Sequence, residues 1–175
     1  MKPKPGKEPD APPTGAAFLL AQIGSHAAMK FAERLAEHDL TPPQAGILRL
    51  IRTSPGLSQQ ALAERLSILP SRVVGFVDDL EDRGLVRRDR DPADRRANVL
   101  VLTAAGGRAL RTLGTVAMAH ESEICAALTE RERRQLTALL GRVAAEQGLT
   151  PGVHPGYRAL AGSEGSRRSR PAARA

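Results

Sequence analysis

The sequence predicts a mainly α-helical protein with one small β-hairpin, in which a helix-turn-helix unit precedes the hairpin and longer helices flank the whole. Apolar residues recur at helical spacing through most of residues 16–147. Helix-start signals and glycine stops divide this pattern into separate helices. The short apolar run "ANVLVL" is instead typical of a strand.

The first two helices are separated by a clear start signal. A helical stripe over residues 16–37 consists of Leu20, Ile23, Ala27, Phe31 and Leu35. Thr41 then stands as an N-cap, two prolines occupy the first helical positions, and Gln44 follows three residues after the cap. This spacing predicts a capping box, in which the two residues satisfy each other's backbone amides. We expect a short second helix over residues 42–52.

The next two predicted helices are joined by a break of three or four residues. Ser58 is positioned to cap a helix of about nine residues, with Leu57 placed to pack on Leu62. "SILP" interrupts the pattern, and Pro70 suits the first turn of a further helix, which Gly84 ends. The buried stripe of that helix is predicted to be Val73, Val77 and Leu80. Two short helices joined in this way predict a helix-turn-helix.

A charged loop follows between two strand-like segments. Residues 85–89 and 97–102 are predicted to pair, with "RDPADRR" connecting them. A two-stranded hairpin is marginal alone, so we expect it to pack on the helices through Leu85, Val99 and Val101. Six arginines and three aspartates lie within residues 83–96. Such a local excess of positive charge indicates a polyanionic partner.

Two long helices complete the predicted domain. Thr103 is expected to cap a helix that runs to about Leu128. Thr129 and Glu132 form a second capping box, and the last helix should end at Gly148. The apolar stripes of residues 16–37 and 104–147 exceed what one small domain can cover, which predicts a homodimer.

Composition suggests three regions: a disordered leader (1–15), the folded domain (16–147) and a disordered basic tail (148–175). Of the formal net charge of +7, +4 lies between Pro151 and the C-terminus. The sequence has no apolar run long enough to span a membrane and no secretory signal, so we expect a cytoplasmic protein.

Several classes of chemistry lack support in the sequence. Cys125 is the single cysteine, which excludes an internal disulfide, and its small apolar neighbours predict a buried structural thiol. Histidines are scattered without ligand spacing, which argues against a metal site. There is no phosphate-binding loop or nucleophile motif, so we expect neither enzymatic activity nor a cofactor.

The segment "DRRANVLVLT" resembles the wing signature of the MarR family of winged-helix transcriptional regulators, through Asp94, Arg96, Leu102 and Thr103. "LTPPQAGIL", "LAERL" and "VDDLEDRGLVRR" are also similar to the corresponding family stretches. The match covers about residues 16–147, in the same order and spacing. It implies a winged helix-turn-helix flanked by N- and C-terminal dimerisation helices.

The resemblance also implies a function, namely sequence-specific binding of double-stranded DNA by a repressor that a small aromatic or drug-like ligand releases. The recognition helix would be residues 70–83, with Ser71, Arg72 and Gly75 near its start facing the major groove. At the hairpin tip, Arg96 matches the family's groove-inserting arginine. Asp94 would orient it and Arg95 would assist. The homodimer would read a pseudo-palindromic operator.

The sequence departs from the family pattern around the turn. Leu69 stands where a polar N-cap is common, Ser67 where glycine often ends the preceding helix, and Gly75 where a longer polar residue is usual. Fewer direct base contacts would follow. Two alternatives stay open: a winged-helix module for protein contacts, and an architectural DNA binder without a ligand. The remaining hairpin arginines, Arg87, Arg88 and Arg90, are either a solvated face or neighbours of DNA phosphates.

Overall fold

The helices begin where the sequence signals predict. The computed structural model describes residues 15–91, 98–154 and Tyr157. Within these residues the elements are α1 (Ala16–Ala36), α2 (Pro42–Thr53), α3 (Gln59–Leu66), α4 (Pro70–Asp82), β1 (Val86–Arg90), β2 (Asn98–Leu102), α5 (Ala104–Ile124) and α6 (Glu130–Glu146).

Side-chain caps explain these starting points. Both predicted capping boxes form, one between Thr41 and Gln44 and one between Thr129 and Glu132. In the first, the Thr41 amide donates to Gln44 Oε1 at 2.9 Å. In the second, hydrogen bonds from Thr129 lower the pKa of the Glu132 carboxyl. Because each box satisfies amides that the helix leaves unpaired, it fixes the first turn locally.

The turn between α3 and α4 forms without the usual glycine or polar cap. Ser67 adopts the left-handed conformation with φ of 54°, which is strained for a residue with a side chain. Leu69 is the N-cap of α4 and forms no side-chain cap bond. Instead, Ile68 is buried and its amide donates to the Ala63 carbonyl at 3.1 Å. Burial of Ile68 therefore stabilises the turn in place of the missing cap.

The core lies under the helix-turn-helix. Its fully buried side chains come from α1, α2, α3, α4 and β1: Leu35, Ile47, Leu48, Leu62, Leu66, Val73, Val77, Leu80 and Val86. The stripe predicted for α4 is confirmed, because all three of its members are completely buried. The face of α4 opposite this stripe therefore remains available to a partner.

The hairpin packs on the helices partly as predicted, because Val99 is buried and Leu85 packs against the core. β1 and β2 are antiparallel, with Val86 opposite Leu102 and Arg88 opposite Leu100. Leu100 is buried in the core and its amide donates to the Leu57 carbonyl at 2.9 Å, whereas Val101 is only half-buried. The expectation for Val101 was wrong because every residue from Val99 to Leu102 is apolar, so alternation does not distinguish the two faces.

Two predicted boundaries also need correction. α5 ends at Ile124 rather than near Leu128, with Cys125 as its C-cap. The disordered tail was expected to start at residue 148, but residues 149–154 are described and Tyr157 is buried against α2. The leader up to residue 14 and residues 158–175 lie outside the described residues. Among the described helices, none is both long and apolar enough to cross a membrane.

Candidate nucleic-acid interface

Helix α4 presents a small, mixed face at its N-terminal end. Ser71 and Gly75 are exposed, and Arg72 is half-buried with its Nε enclosed by protein. Leu69 and Val74 lie beside them with 49% and 43% of their surface exposed. Apolar side chains in this position suit the thymine methyl group, which is the apolar feature of the major groove. Neither Leu69 nor Val74 was among the residues predicted to contact DNA.

The C-terminal half of α4 is tied to α2. Gln44, which completes the capping box of α2, also donates through Nε2 to Asp79 on α4. Asp79 lies within 3.8 Å of Arg83 one turn further along. Gln44 is the one polar side chain among the buried residues of the described chain, and both of its polar ends have partners. It therefore joins α2 to α4 at low desolvation cost.

The base of the hairpin is locked to α4 by Arg88. Its guanidinium donates to Asp78 and Glu81 on α4, and its Nε donates to Gln59 Oε1 on α3 at 3.1 Å. The Arg88 amide also donates to Glu81 Oε1 at 3.1 Å. Burial acts to lower the pKa of Arg88, but its two carboxylate partners outweigh that effect and raise it. Arg88 thus holds the hairpin against both helices of the unit, a role that differs from that of a phosphate neighbour.

The outer side of the hairpin is different. Arg87 has 59% of its side chain exposed and forms an ion pair with Asp89 at 2.8 Å. The predicted tip residues Asp94, Arg95 and Arg96 lie outside the described residues, and their placement stays a prediction. β1 packs against α4, and β2 pairs with β1.

A close junction connects the hairpin to α5. Thr103 caps α5 through Gly106, and its hydroxyl donates to the Gly84 carbonyl at 2.6 Å. Gly106 is buried directly against the Leu85 carbonyl, and a Cβ at this position would overlap that oxygen. The wing and the long helix α5 are therefore joined by backbone contacts that leave no room for a side chain.

The three flanking helices α1, α5 and α6 expose apolar surface. In the single described chain α6 has no buried residue. Its stripe is partly exposed, and α1 and α5 expose large apolar residues as well: Phe18, Leu19, Leu20, Ile23, Met29, Met118, Leu136, Leu139, Leu140 and Val143. An apolar surface of this extent marks an interaction site.

Cys125 lies at the end of α5 and is half-buried, which is less than the buried thiol predicted from the sequence. Burial, together with the nearby Glu121, raises the pKa of its thiol. The thiolate is the reactive form of cysteine, so this environment disfavours nucleophilic or redox reactivity. Among the described residues no cluster of acidic, histidine and cysteine side chains has the geometry of a metal site.

Comparison with known proteins agrees with this architecture. The sequence model of the MarR family matches residues 40–97, which extend from just before α2 into the hairpin loop. A putative transcriptional regulatory protein for the hcr operon of Thauera aromatica is 38% identical over 112 residues. That alignment covers 64% of this chain and 68% of the relative.

Two solved structures are similar in fold and sequence. The transcriptional repressor CouR, bound to a 23-mer DNA duplex, has a TM-score of 0.65 and 32% identity over 74% of this chain and 92% of its own. The MarR-family protein Rv2887 of Mycobacterium tuberculosis, in complex with salicylic acid, has a TM-score of 0.62 and 27% identity. Here the match covers 75% of this chain and 98% of the relative.

Proposed function

The chain belongs to the MarR family of transcriptional regulators. From this premise we propose that it is a homodimeric transcriptional repressor that binds specific sequences in double-stranded DNA. Binding of a small aromatic ligand would release the protein from the DNA. The proposal rests mainly on how α4 is held by the rest of the domain. Its apolar side is completely buried, and Gln44 and Arg88 hold it from two directions. A helix held this rigidly can present its outer face to a major groove without rearranging.

The proposal divides DNA contacts between α4 and the hairpin. Ser71, Arg72 and Gly75 on α4 would face base edges in the major groove. Asp94, Arg95 and Arg96 would form the wing tip, with Arg96 entering the adjacent minor groove. Support comes from the exposure of Ser71 and Gly75 and from the family signature at the tip.

A dimer is proposed from the exposed apolar stripes on α1, α5 and α6. Burying a large aliphatic side chain contributes roughly 1.5–3 kcal/mol, so leaving this surface in water would be costly. A two-fold axis through these helices would present two copies of α4 to successive major grooves, about 10 base pairs apart.

The proposed ligand is a small aromatic acid. A relative at 27% identity was solved with salicylic acid, which supports a small aromatic acid as the chemical class for this chain. Because the proposed target is chromosomal DNA, we place the protein in the cytoplasm.

Selection of bound duplexes from a random library tests the function directly. The expected product is a pseudo-palindrome whose half-sites lie about 10 base pairs apart. Binding to it should exceed binding to a scrambled duplex by roughly 10³-fold or more. Salicylate should then reduce affinity for the selected site. Enrichment of no sequence, with equal binding to scrambled DNA, would favour the architectural alternative, and absence of duplex binding would favour a protein-contact module.

A further inference from the structure

Val74 is a partly exposed apolar side chain near the start of α4. The neighbouring Val73 and Val77 are completely buried, whereas 43% of the Val74 surface is exposed. Successive residues of a helix lie about 100° apart around its axis, so Val74 is on the flank between the buried stripe and the exposed Ser71 and Gly75. A β-branched residue at such a position gains little from burial and has a low helix propensity. The fold alone therefore does not account for this valine.

Val74 borders an open hollow between α3 and α4, which has a volume of about 410 Å³. The apolar side of the hollow consists of Ala63, Ile68, Pro70 and Val74. Its polar side consists of Gln59, Gln60, Glu64 and Ser67. The major-groove edge of thymine likewise carries a methyl group next to a carbonyl oxygen. The hollow therefore offers both kinds of contact that this edge needs.

The charges of α4 restrict which part of the helix suits DNA. All four of its acidic residues lie between positions 78 and 82. Three of them are paired with arginines of the same chain, and these are Asp78, Asp79 and Glu81. Residues 69–77 contain no acidic side chain and one cation, Arg72. Because phosphates border the major groove on both sides, the first half of α4 is the part whose charge complements the groove.

We propose that Val74 is a specificity-determining residue, which selects thymine through contact with the 5-methyl group in the major groove. The inference rests on the proposed function for the presence of DNA at α4. The methyl group is the apolar feature that distinguishes thymine in this groove, so an apolar side chain can recognise it without a hydrogen bond. The hollow beside Val74 provides the space that the methyl group occupies.

The size of the effect follows from the area that one methyl group buries. Loss of this contact should weaken binding about fourfold per half-site. A homodimer repeats the contact in both half-sites, so the symmetric change should weaken binding about 15-fold, since distant contacts are additive. Arg72 lies about 160° around the axis from Val74, on the other flank of α4, so the two side chains should meet different base pairs.

The first experiment replaces thymine by uracil, which removes the 5-methyl group and retains base pairing. Each thymine of the selected site is substituted in turn at its two symmetric positions, and the affinity of the full chain is measured at one salt concentration. We expect a loss of about 15-fold at one base pair per half-site. A selected half-site without thymine, or a scan in which no methyl group matters, would overturn the proposal.

The second experiment identifies the side chain that meets this methyl group. Val74→Ala should weaken binding to the thymine site by a similar factor. Uracil should then cost less than about twofold, because the two changes remove one contact. Val74→Ile keeps a branched apolar side chain and should keep the full uracil penalty. An unchanged uracil penalty in Val74→Ala would overturn the assignment, since the methyl group would then meet another residue.

Leu69→Ala is the matched control. Leu69 lies at the same end of α4 and is 49% exposed, but it is not among the described residues that line the hollow. This variant should keep the uracil penalty at the same base pair, and loss of the penalty here would contradict Val74 as the reader. Urea denaturation of Val74→Ala should give the wild-type midpoint, because Val74 lies outside the core cluster.

The proposed function is judged separately from the role of Val74. If no sequence is selected from the library, sequence-specific binding itself fails. If a pseudo-palindrome is selected but its uracil penalty is absent or does not depend on Val74, the proposed function stands and the role of Val74 alone is refuted.

Discussion

The guanidinium of Arg88 on β1 forms an ion pair with Asp78 on α4, which lies ten residues earlier in the chain. The contact joins the hairpin to the recognition helix through a side chain that is only 22% exposed. The pair therefore holds the hairpin against α4, and the proposed division of DNA contacts between the two depends on this geometry.

Arg88→Met should loosen the unit. It leaves Asp78 and Glu81 without their shared cation, and we expect a decrease of about 1 kcal/mol in the free energy of unfolding, measured by urea denaturation. Arg87→Met is the matched control, because it removes the same charge from the neighbouring, largely exposed position. Equal stability of the two variants would show that the ion pairs of Arg88 do not stabilise the domain.

Wing and recognition helix should make distinguishable contributions to binding. Arg96→Ala should weaken affinity for every operator variant, most of all for those with A·T-rich flanks. Arg72→Ala should lose about 1–3 kcal/mol of discrimination at one base pair per half-site and keep the flank preference. Affinities for flank and core variants at one salt concentration provide the measurement. Uniform loss in Arg72→Ala would instead identify Arg72 as a phosphate contact.

The dimer should depend on the exposed stripe of α6. Leu139 is 47% exposed in the single chain, and Leu139→Glu places a charge in the proposed apolar interface. We expect a monomer at micromolar concentration in light scattering. Ala138→Glu adds the same charge to the opposite side of α6 and should remain dimeric. A monomeric wild-type protein would refute the proposal that α1, α5 and α6 form a dimer interface.

The junction between the hairpin and α5 should tolerate no side chain at Gly106. Gly106→Ala forces a Cβ against the Leu85 backbone, and we expect a loss of roughly 1–3 kcal/mol of unfolding free energy. At the neighbouring Gly107 a Cβ meets only the end of the Arg111 side chain at 3.9 Å. Gly107→Ala should therefore be neutral or stabilise α5 by up to about 1 kcal/mol. Thermal unfolding compares the two directly.

Local chemistry made most of the secondary structure predictable. Thr41 with Gln44, and Thr129 with Glu132, act over three residues, so a helix start is readable wherever the pair occurs. The stripe of Val73, Val77 and Leu80 repeats at helical spacing, which identified the buried side of α4 before its partners were known. The wing signature at residues 94–103 indicated the family for the same reason, since its spacing is contained within one short segment.

Contacts between distant segments were decided by the tertiary structure alone. Arg88 and Arg87 are adjacent arginines of one charged run, and only the pleat of β1 against α4 makes the first a structural cation and leaves the second in water. The apolar residues of β2 could likewise pack on the core from either face of the hairpin, and the tertiary structure places Leu100 in the core.

Tyr157 is the clearest case of this difference. Its glycine- and proline-rich surroundings predicted a disordered tail, because composition describes only what a segment does when nothing binds it. Its ring packs against Gly46, which lies 111 residues away in the sequence, and no local pattern relates the two positions. The sequence alone determined where the helices start and which of their sides are apolar. Packing determined which surfaces meet, because complementary shape exists only after distant segments have been brought together.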